Sequence, residues 1–350
     1  MGAVGVGPSR PVGARAWTEL LRLPALFTVP GDALAGAAAA AAHPNPRTLL
    51  AICSSLCLYE AGMALNDWAD RGEDAAERPH RPLPSGRIRP TAALAAACAF
   101  TGAGLSLAAC AGRPALAVAT PLAATVWAYD LALKRTPAGP LAMAAARGLD
   151  LLLGAAATTG GATGTGDTGV TAGPARLADG VRRALPSAAL LSAHTLAVTT
   201  VSRRETQGGS PLAPLAALAT TGVLTRLLTR PPTSRDTTAP RPGHPDRPNR
   251  RVRLDLPDRN PARPRSWLWP VAAPRTALAA AYAATAARPY FHAALNPSPP
   301  LTQRAVSGGI RAMIPLQAAL SARSGATATA LLTAALAPIA RRFARKVSIT

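Results

Sequence analysis

The sequence predicts an all-α fold, a polytopic membrane bundle of nine or ten transmembrane helices, and three observations carry that reading. Only 16% of the 350 residues are charged, against about 25% in an ordinary soluble domain. Apolar blocks of roughly 20 residues, the length that spans a bilayer as a helix, recur from Leu20 onward. Arginine and proline collect between the blocks rather than within them, so the mean hydropathy of +0.15 averages very apolar stretches with very basic ones. Length alone permits two soluble domains, but consecutive helices in lipid pack into one bundle.

Taken in order, residues 1–19 carry Arg10 and Arg15 without a convincing cleavage site, and read as a cytoplasmic tail rather than a signal peptide. Candidate spans follow at 20–42, 48–68, 91–111, 114–133, 138–158, 184–202, 211–229, 267–291, 303–321 and 325–340. The block at 303–321 contains Arg304, Arg311 and Gln317, which suggests an amphipathic or re-entrant helix. Residues 20–229 thus form helices 1–7 with both polar loops, and 267–350 form the last helices and a basic tail. Between them, residues 230–266 are rich in Pro and Arg, lack apolar periodicity, and are expected to be a disordered insertion.

Orientation follows from the positive charges of short connections. Arg71, Arg78, Arg81, Arg87 and Arg89 lie after the second span, Lys134 and Arg135 after the fourth, and Arg203 and Arg204 after the sixth, all on one side. The expected localisation is the cell membrane, with this side facing the cytoplasm.

The net charge of +21 would suggest nucleic acid in a soluble protein. No Arg-rich stretch is interleaved with aromatics, however, and Lys134 and Lys346 are the only lysines, which looks like compositional bias; no nucleic-acid partner is expected. Cys53, Cys57, Cys98 and Cys110 lie in apolar blocks without metal-ligand spacing and read as small core residues. The run Gly164-Thr165-Gly166-Asp167-Thr168-Gly169 matches a dinucleotide-binding pattern in letters, but it follows an apolar helix instead of a strand.

The informative stretch is Asn66-Asp67-Trp68-Ala69-Asp70-Arg71-Gly72-Glu73-Asp74, at the end of the second span. Positions 66, 70 and 74 share a face on a continuing helix, with Asp67 three before Asp70. Carboxylates so close repel unless a cation sits among them, and such oxygens beside a phosphate-bearing partner suit Mg²⁺, with Asn66, Asp67, Asp70 and Asp74 as ligands. The alternative is a solvated helix end whose acids pair with neighbouring arginines. Arg78 and Arg81 follow within a proline-stiffened loop, and guanidiniums can hold phosphate oxygens in pairs, so acids and arginines together suggest a diphosphate site. Glu60, seven residues before Asp67, shares its face deeper in the membrane, where an ionisable group either handles a substrate or pairs with its surroundings. Asp150, three after Arg147, suggests a structural ion pair, and His194 an interhelical hydrogen bond.

The complete N-D-x-x-D-x-x-x-D pattern and the following R-P-H-R-P-L-P-S-G run resemble the UbiA superfamily of intramembrane prenyltransferases. The resemblance extends to Tyr129, Lys134 and the second polar loop, and covers the chain except 230–266. Segments 147–150, 194–196 and 202–205 look closest to the EboC-like branch. It implies Mg²⁺-dependent transfer of a prenyl group from a polyprenyl diphosphate to a small acceptor within the membrane lipids. Arg78, Arg81, Lys134, Arg203 and Glu205 would be catalytic, with Glu60, Asn66 and Tyr129 binding substrate. One departure stands out: where the family has a second aspartate motif, this chain reads Ser202-Arg203-Arg204-Glu205-Thr206-Gln207-Gly208-Gly209, with Glu205 the lone carboxylate. A membrane terpene cyclase using the same site, and a non-catalytic carrier of diphosphate lipids, remain open alternatives.

Overall fold

The computed structural model of the chain describes residues 12–21, 23–160, 173–203, 205, 210–230 and 272–347. Among them the secondary structure is helical throughout: α1 (Val12–Leu20), a 3₁₀ segment (Leu23–Thr28), α2 (Val29–Ala39), α3 (Pro46–Ala69), α4 (Arg71–Glu77), α5 (Pro90–Ala111), α6 (Arg113–Ala128), a π turn (Tyr129–Leu133), α7 (Gly139–Thr159), α8 (Gly173–Ser202), α9 (Leu212–Thr229), α10 (Ala272–Leu295), α11 (Pro299–Arg323) and α12 (Thr327–Val347). The Gly/Thr-rich run at 164–169 and the insertion from 231 onward lie outside the described residues.

Six helices are long and apolar enough to cross a membrane by length and composition, with Leu26–Ala39 and Thr327–Ala340 as shorter apolar helices. Helices α10 and α11 have the length but are more polar, so apolar length alone does not establish nine or ten spans. The segment expected to be amphipathic or re-entrant is one of the best buried in the molecule. In α11, Ala305, Ala312, Leu316, Gln317 and Leu320 are fully enclosed, while Arg304 and Arg311 stay exposed on its outer side.

The first expected span is broken. Pro30 lacks the amide hydrogen a continuing helix would use, so α2 starts around it, and the chain before it forms the 3₁₀ segment. The expected N-terminal tail likewise contains a helix. Ala16 and Leu20 of α1 are buried with Leu65, Leu83, Ile88, Ala93 and Ala97, and Arg87 donates two hydrogen bonds to Glu19, at 2.7 and 3.2 Å. That ion pair holds the Arg87 guanidinium above its ordinary range through its hydrogen bond to Glu19.

Two apolar cores meet at α7. One joins α3, α5, α6 and α7; the other joins α2 and α7 to α8–α11. The α2–α7 crossing is very close, because a Cβ at Gly154 would collide with the Ala33 backbone and one at Gly36 with the Leu151 carbonyl oxygen. Small residues that let backbones approach are the usual means of packing helices in lipid, where no hydrophobic force drives association. The crossing brings the buried Asp32 of α2 against α7. On the far side, His194 ties α8 to α10 and α11, its ring nitrogens 3.0 Å from Tyr282 Oη and from the Gly309 carbonyl oxygen. Its role is the interhelical one its position suggested. The cysteines differ from expectation: Cys53 and Cys57 are half-buried, whereas Cys98 and Cys110 are exposed on the outer surface of α5.

Candidate functional site

Helix α3 is set in register at its start by Asn45, whose side chain accepts from the Arg47 and Thr48 amides while Thr48 Oγ1 accepts from the Asn45 amide, with Pro46 opening the first turn. At the other end the helical ladder runs on through the motif. The Asp70 amide donates to the Asn66 carbonyl (2.9 Å), Asp74 to Asp70 (2.8 Å) and Arg78 to Asp74 (2.8 Å). Residues 66, 70 and 74 therefore stack as the spacing predicted, across the junction between α3 and α4.

Asp67 and Asp74 are both nearly sealed from solvent, at 4% and 3% exposure. They converge on one guanidinium nitrogen: Arg81 Nη1 is 2.7 Å from Asp74 Oδ2 and 3.7 Å from Asp67 Oδ1. Arg78 adds a longer contact to Asp74 at 3.7 Å. Buried carboxylates persist as anions only beside positive charge, and the folded-back loop Arg78–Arg87 supplies it. Its shape is fixed by hydrogen bonds from Ser85 Oγ to the Arg81 carbonyl (2.6 Å) and from the Ile88 amide to the Pro82 carbonyl (3.0 Å).

The other side of the motif meets α6. The Lys134 amide donates to the Tyr129 carbonyl at 2.9 Å, one residue beyond α-helical spacing, and such π turns recur at functional sites. Two rungs then join parallel chains: Asn66 Nδ2 donates to Asp130 Oδ1 (3.0 Å), and Lys134 Nζ lies 2.5 Å from Asp70 Oδ1. Arg135 reaches Glu73 (2.7 Å) and Asp70 (3.4 Å), and Tyr129 lies near enough to feel both Asp70 and Arg203.

The second loop comes to the same end of the bundle. Arg203 Nη1 donates to the Thr136 carbonyl, and Glu205 is half-buried within electrostatic reach of Arg78. Burial pushes the Glu205 carboxyl above its ordinary range, and Arg78 opposes the shift. Arg204 and residues 206–209 lie outside the described residues.

Asn66, Asp67, Asp70, Asp74, Arg78, Arg81, Tyr129, Lys134, Arg203 and Glu205 thus gather at one end of the bundle. Glu60 does not join them; it lies deeper, buried, with neither carboxylate oxygen hydrogen-bonded. The expected pairing of Arg147 with Asp150 is corrected: Arg147 forms its ion pair with Asp32 across helices and also donates to Thr28, while Asp150 accepts a hydrogen bond from Ser55 Oγ. The close α2–α7 crossing makes Asp32 the nearer partner.

Sequence reasoning missed two acids, Asp32 and Asp130. Both are ionisable residues within apolar blocks, and that alone marks a site in a membrane helix.

Among the described residues no three His, Cys, Asp or Glu side chains form a ready-made metal cage. The donor set nevertheless fits Mg²⁺, which is commonly held by one or two carboxylates plus substrate phosphates and water. Asp67 and Asp74 already converge on a single positive group.

These features define a class: a helical bundle of the membrane with an acid-and-arginine rim at one end. The match to a family model sharpens the class, since residues 28–228 match the UbiA prenyltransferase family, and the chain belongs to that family. Digeranylgeranylglyceryl phosphate synthase of Methanopyrus kandleri is 34% identical over 128 residues, covering 35% of this chain and 45% of the relative. The synthase of the same name from Methanothrix thermoacetophila is 37% identical over 112 residues, covering 32% and 42%. The chain thus spans less than half the length of these curated relatives. The apo structure of a UbiA homolog from Aeropyrum pernix K1 shares the fold, with a TM-score of 0.56 at 16% identity over 84% of this chain and 96% of that one. These likenesses carry the superfamily; they do not reach the EboC-like branch. Membership and the apolar helices make the chain an integral membrane protein.

Proposed function

We propose that the protein transfers a prenyl group from a polyprenyl diphosphate to a small acceptor, in the cell membrane, with the rim facing the cytoplasm. The observation that carries this is the convergence of the buried Asp67 and Asp74 on Arg81, beside the Asn66–Asp130 and Asp70–Lys134 rungs. Acids and cations alternate there, as a site for a metal-bridged diphosphate requires.

Asn66, Asp67, Asp70 and Asp74 would hold Mg²⁺. When bound, the metal neutralises diphosphate oxygens and so makes diphosphate a better leaving group. Arg78, Arg81 and Lys134, released from their carboxylates, would hold the remaining phosphate oxygens, and their attraction grows as charge builds on the leaving group. Asp130 would orient Asn66 by accepting its hydrogen bond, and Tyr129 lies within electrostatic reach of Asp70. Arg203 braces the second loop against Thr136, and Glu205 lies within electrostatic reach of Arg78. The apolar walls exclude water from the allylic cation once the carbon–oxygen bond has broken.

The test is to give the purified chain a panel of prenyl diphosphates of different lengths and to follow pyrophosphate release with and without acceptors. Release that needs Mg²⁺ and rises with acceptor is expected. Tight diphosphate binding without release would favour the carrier reading, which the acid-poor second loop also suits.

A further inference from the structure

Beneath the rim the acids no longer alternate with cations. Glu60 lies seven residues before Asp67 on the same face of α3, two turns or roughly 10 Å deeper in the bundle. It is 7% exposed, and both of its carboxylate oxygens lack a hydrogen-bond partner. Farther down, Asp150 accepts from Ser55 on α3, and the fully buried Asp32 accepts from Arg147 and from Gln317 Nε2 at 2.6 Å. The guanidinium beside Asp32, that of Arg147, is engaged by Asp32 and Thr28.

Among the described residues, such a floor offers hydrogen-bonding groups but no free cation beside them. A carboxylate or phosphate on the acceptor would lose its hydration and find Arg147 already engaged. A neutral molecule bearing several hydroxyls would instead donate to both orphan oxygens of Glu60, meeting the rule that buried polar groups are paired. The depth also suits the chemistry, because the reacting carbon hangs below the diphosphate and the attacking oxygen must approach to about 3–3.5 Å from beneath it.

We propose that the acceptor is a small neutral polyhydroxy compound bound through Glu60, and that the product is its prenyl ether. This rests on the prenyl-transfer reading above. In the reaction the allylic carbon–oxygen bond breaks with its electron pair leaving on pyrophosphate. A lone pair of the acceptor hydroxyl forms the new carbon–oxygen bond, and the hydroxyl proton passes to the Glu60 carboxylate and from there to water.

The experiment uses the full chain in lipid nanodiscs with Mg²⁺ and geranylgeranyl diphosphate. Glycerol and myo-inositol are compared with glycerol 1-phosphate and 4-hydroxybenzoate, and ether products are measured by mass spectrometry. A neutral polyol should be prenylated with kcat/KM at least about tenfold above the anionic acceptors. Glu60→Gln, checked for an unchanged melting temperature, should raise KM for the polyol about tenfold and leave KM for the diphosphate within about twofold. Preference for glycerol 1-phosphate or 4-hydroxybenzoate, no product with either polyol, or an equal effect of Glu60→Gln on both KM values overturns the inference. Melting of the protein with the non-hydrolysable geranylgeranyl thiolodiphosphate separates the two levels. Mg²⁺-dependent stabilisation without polyol product overturns the acceptor alone, whereas no stabilisation and no pyrophosphate release overturns the prenyl-transfer reading beneath it.

Discussion

The two polar loops at the rim are built to different plans. On the first, Asp67, Asp70, Glu73 and Asp74 each have a cation within 4 Å, and Asn66 is held by Asp130. On the second, Glu205 is the one described carboxylate and lies in the field of Arg78, while Arg203 is spent on a backbone carbonyl. A dense set of paired charges can exchange partners when a doubly charged ligand arrives; a lone acid cannot. The contrast is that paired charges are concentrated on one loop, whereas the other, in its described residues, ties Arg203 to the connection between α6 and α7.

The largest test of that division falls on the acids. Asp67→Ala, Asp70→Ala and Asp74→Ala should each lower the rate of pyrophosphate release by at least about 10²–10³-fold, the cost of losing a main electrostatic contact to developing charge. The protein should remain in the membrane fraction, because these residues sit around the junction of α3 and α4 rather than within the apolar cores. Near wild-type, Mg²⁺-dependent rates in all three variants would remove the first loop from the chemistry.

Next come the cations. Lys134→Ala should slow turnover by roughly 10–10²-fold, with a smaller effect on diphosphate affinity, if its charge acts mostly on the leaving group. Arg81→Ala leaves Asp67 and Asp74 buried without their shared partner, so the metal-free protein should melt at lower temperature than wild type. Added Mg²⁺ should restore part of that loss, since a ligand that binds only the folded state stabilises it. A melting temperature for Arg81→Ala that ignores Mg²⁺ would show that the two acids do not form a cation site.

Much of this contrast was legible in the sequence, and the reasons are local. The four-residue spacing of Asn66, Asp70 and Asp74 predicts a shared face because the helix does not stop at Ala69, and the Asp70 and Asp74 amides bear that out. Arg78 and Arg81 are close to the acids in the chain, so a short proline-stiffened loop has little choice but to bring them back. What the sequence did not disclose depends on distant contacts. Asp32 pairs with Arg147 across 115 positions because Gly36 and Gly154 let two backbones nearly touch, and no periodicity within either helix reports that. The helix at Val12–Leu20 was hidden for a similar reason, since its apolar side is covered by Leu83 and Ile88 of the loop far downstream. Glu60 was visible as an intramembrane acid, but its lack of a partner is a property of the packed bundle alone.

The smallest expected effect belongs to the second loop, and it sets the limit of the comparison. Glu205→Gln removes the one described carboxylate there and leaves the four polar ligands of the first loop in place. It should raise the Mg²⁺ concentration needed for half-maximal rate by only a few-fold, roughly the loss of one partly exposed charge interaction, with a modest loss at saturating metal. Acidity sharpens the test. Burial raises the Glu205 carboxyl above its ordinary range, so its charge is lost at a higher pH than for a free glutamate. The difference in Mg²⁺ requirement between wild type and Glu205→Gln should therefore be largest near neutrality and close as pH falls through that raised range. The stability effect runs the other way: a carboxyl raised on folding disfavours the folded state as pH rises past its unfolded value, so the variant should melt no lower than wild type at neutral pH. A Mg²⁺ titration in which Glu205→Gln is inactive at every concentration, with the protein still folded, would make the second loop an equal partner. The division between a neutralising loop and a bracing loop would then fall.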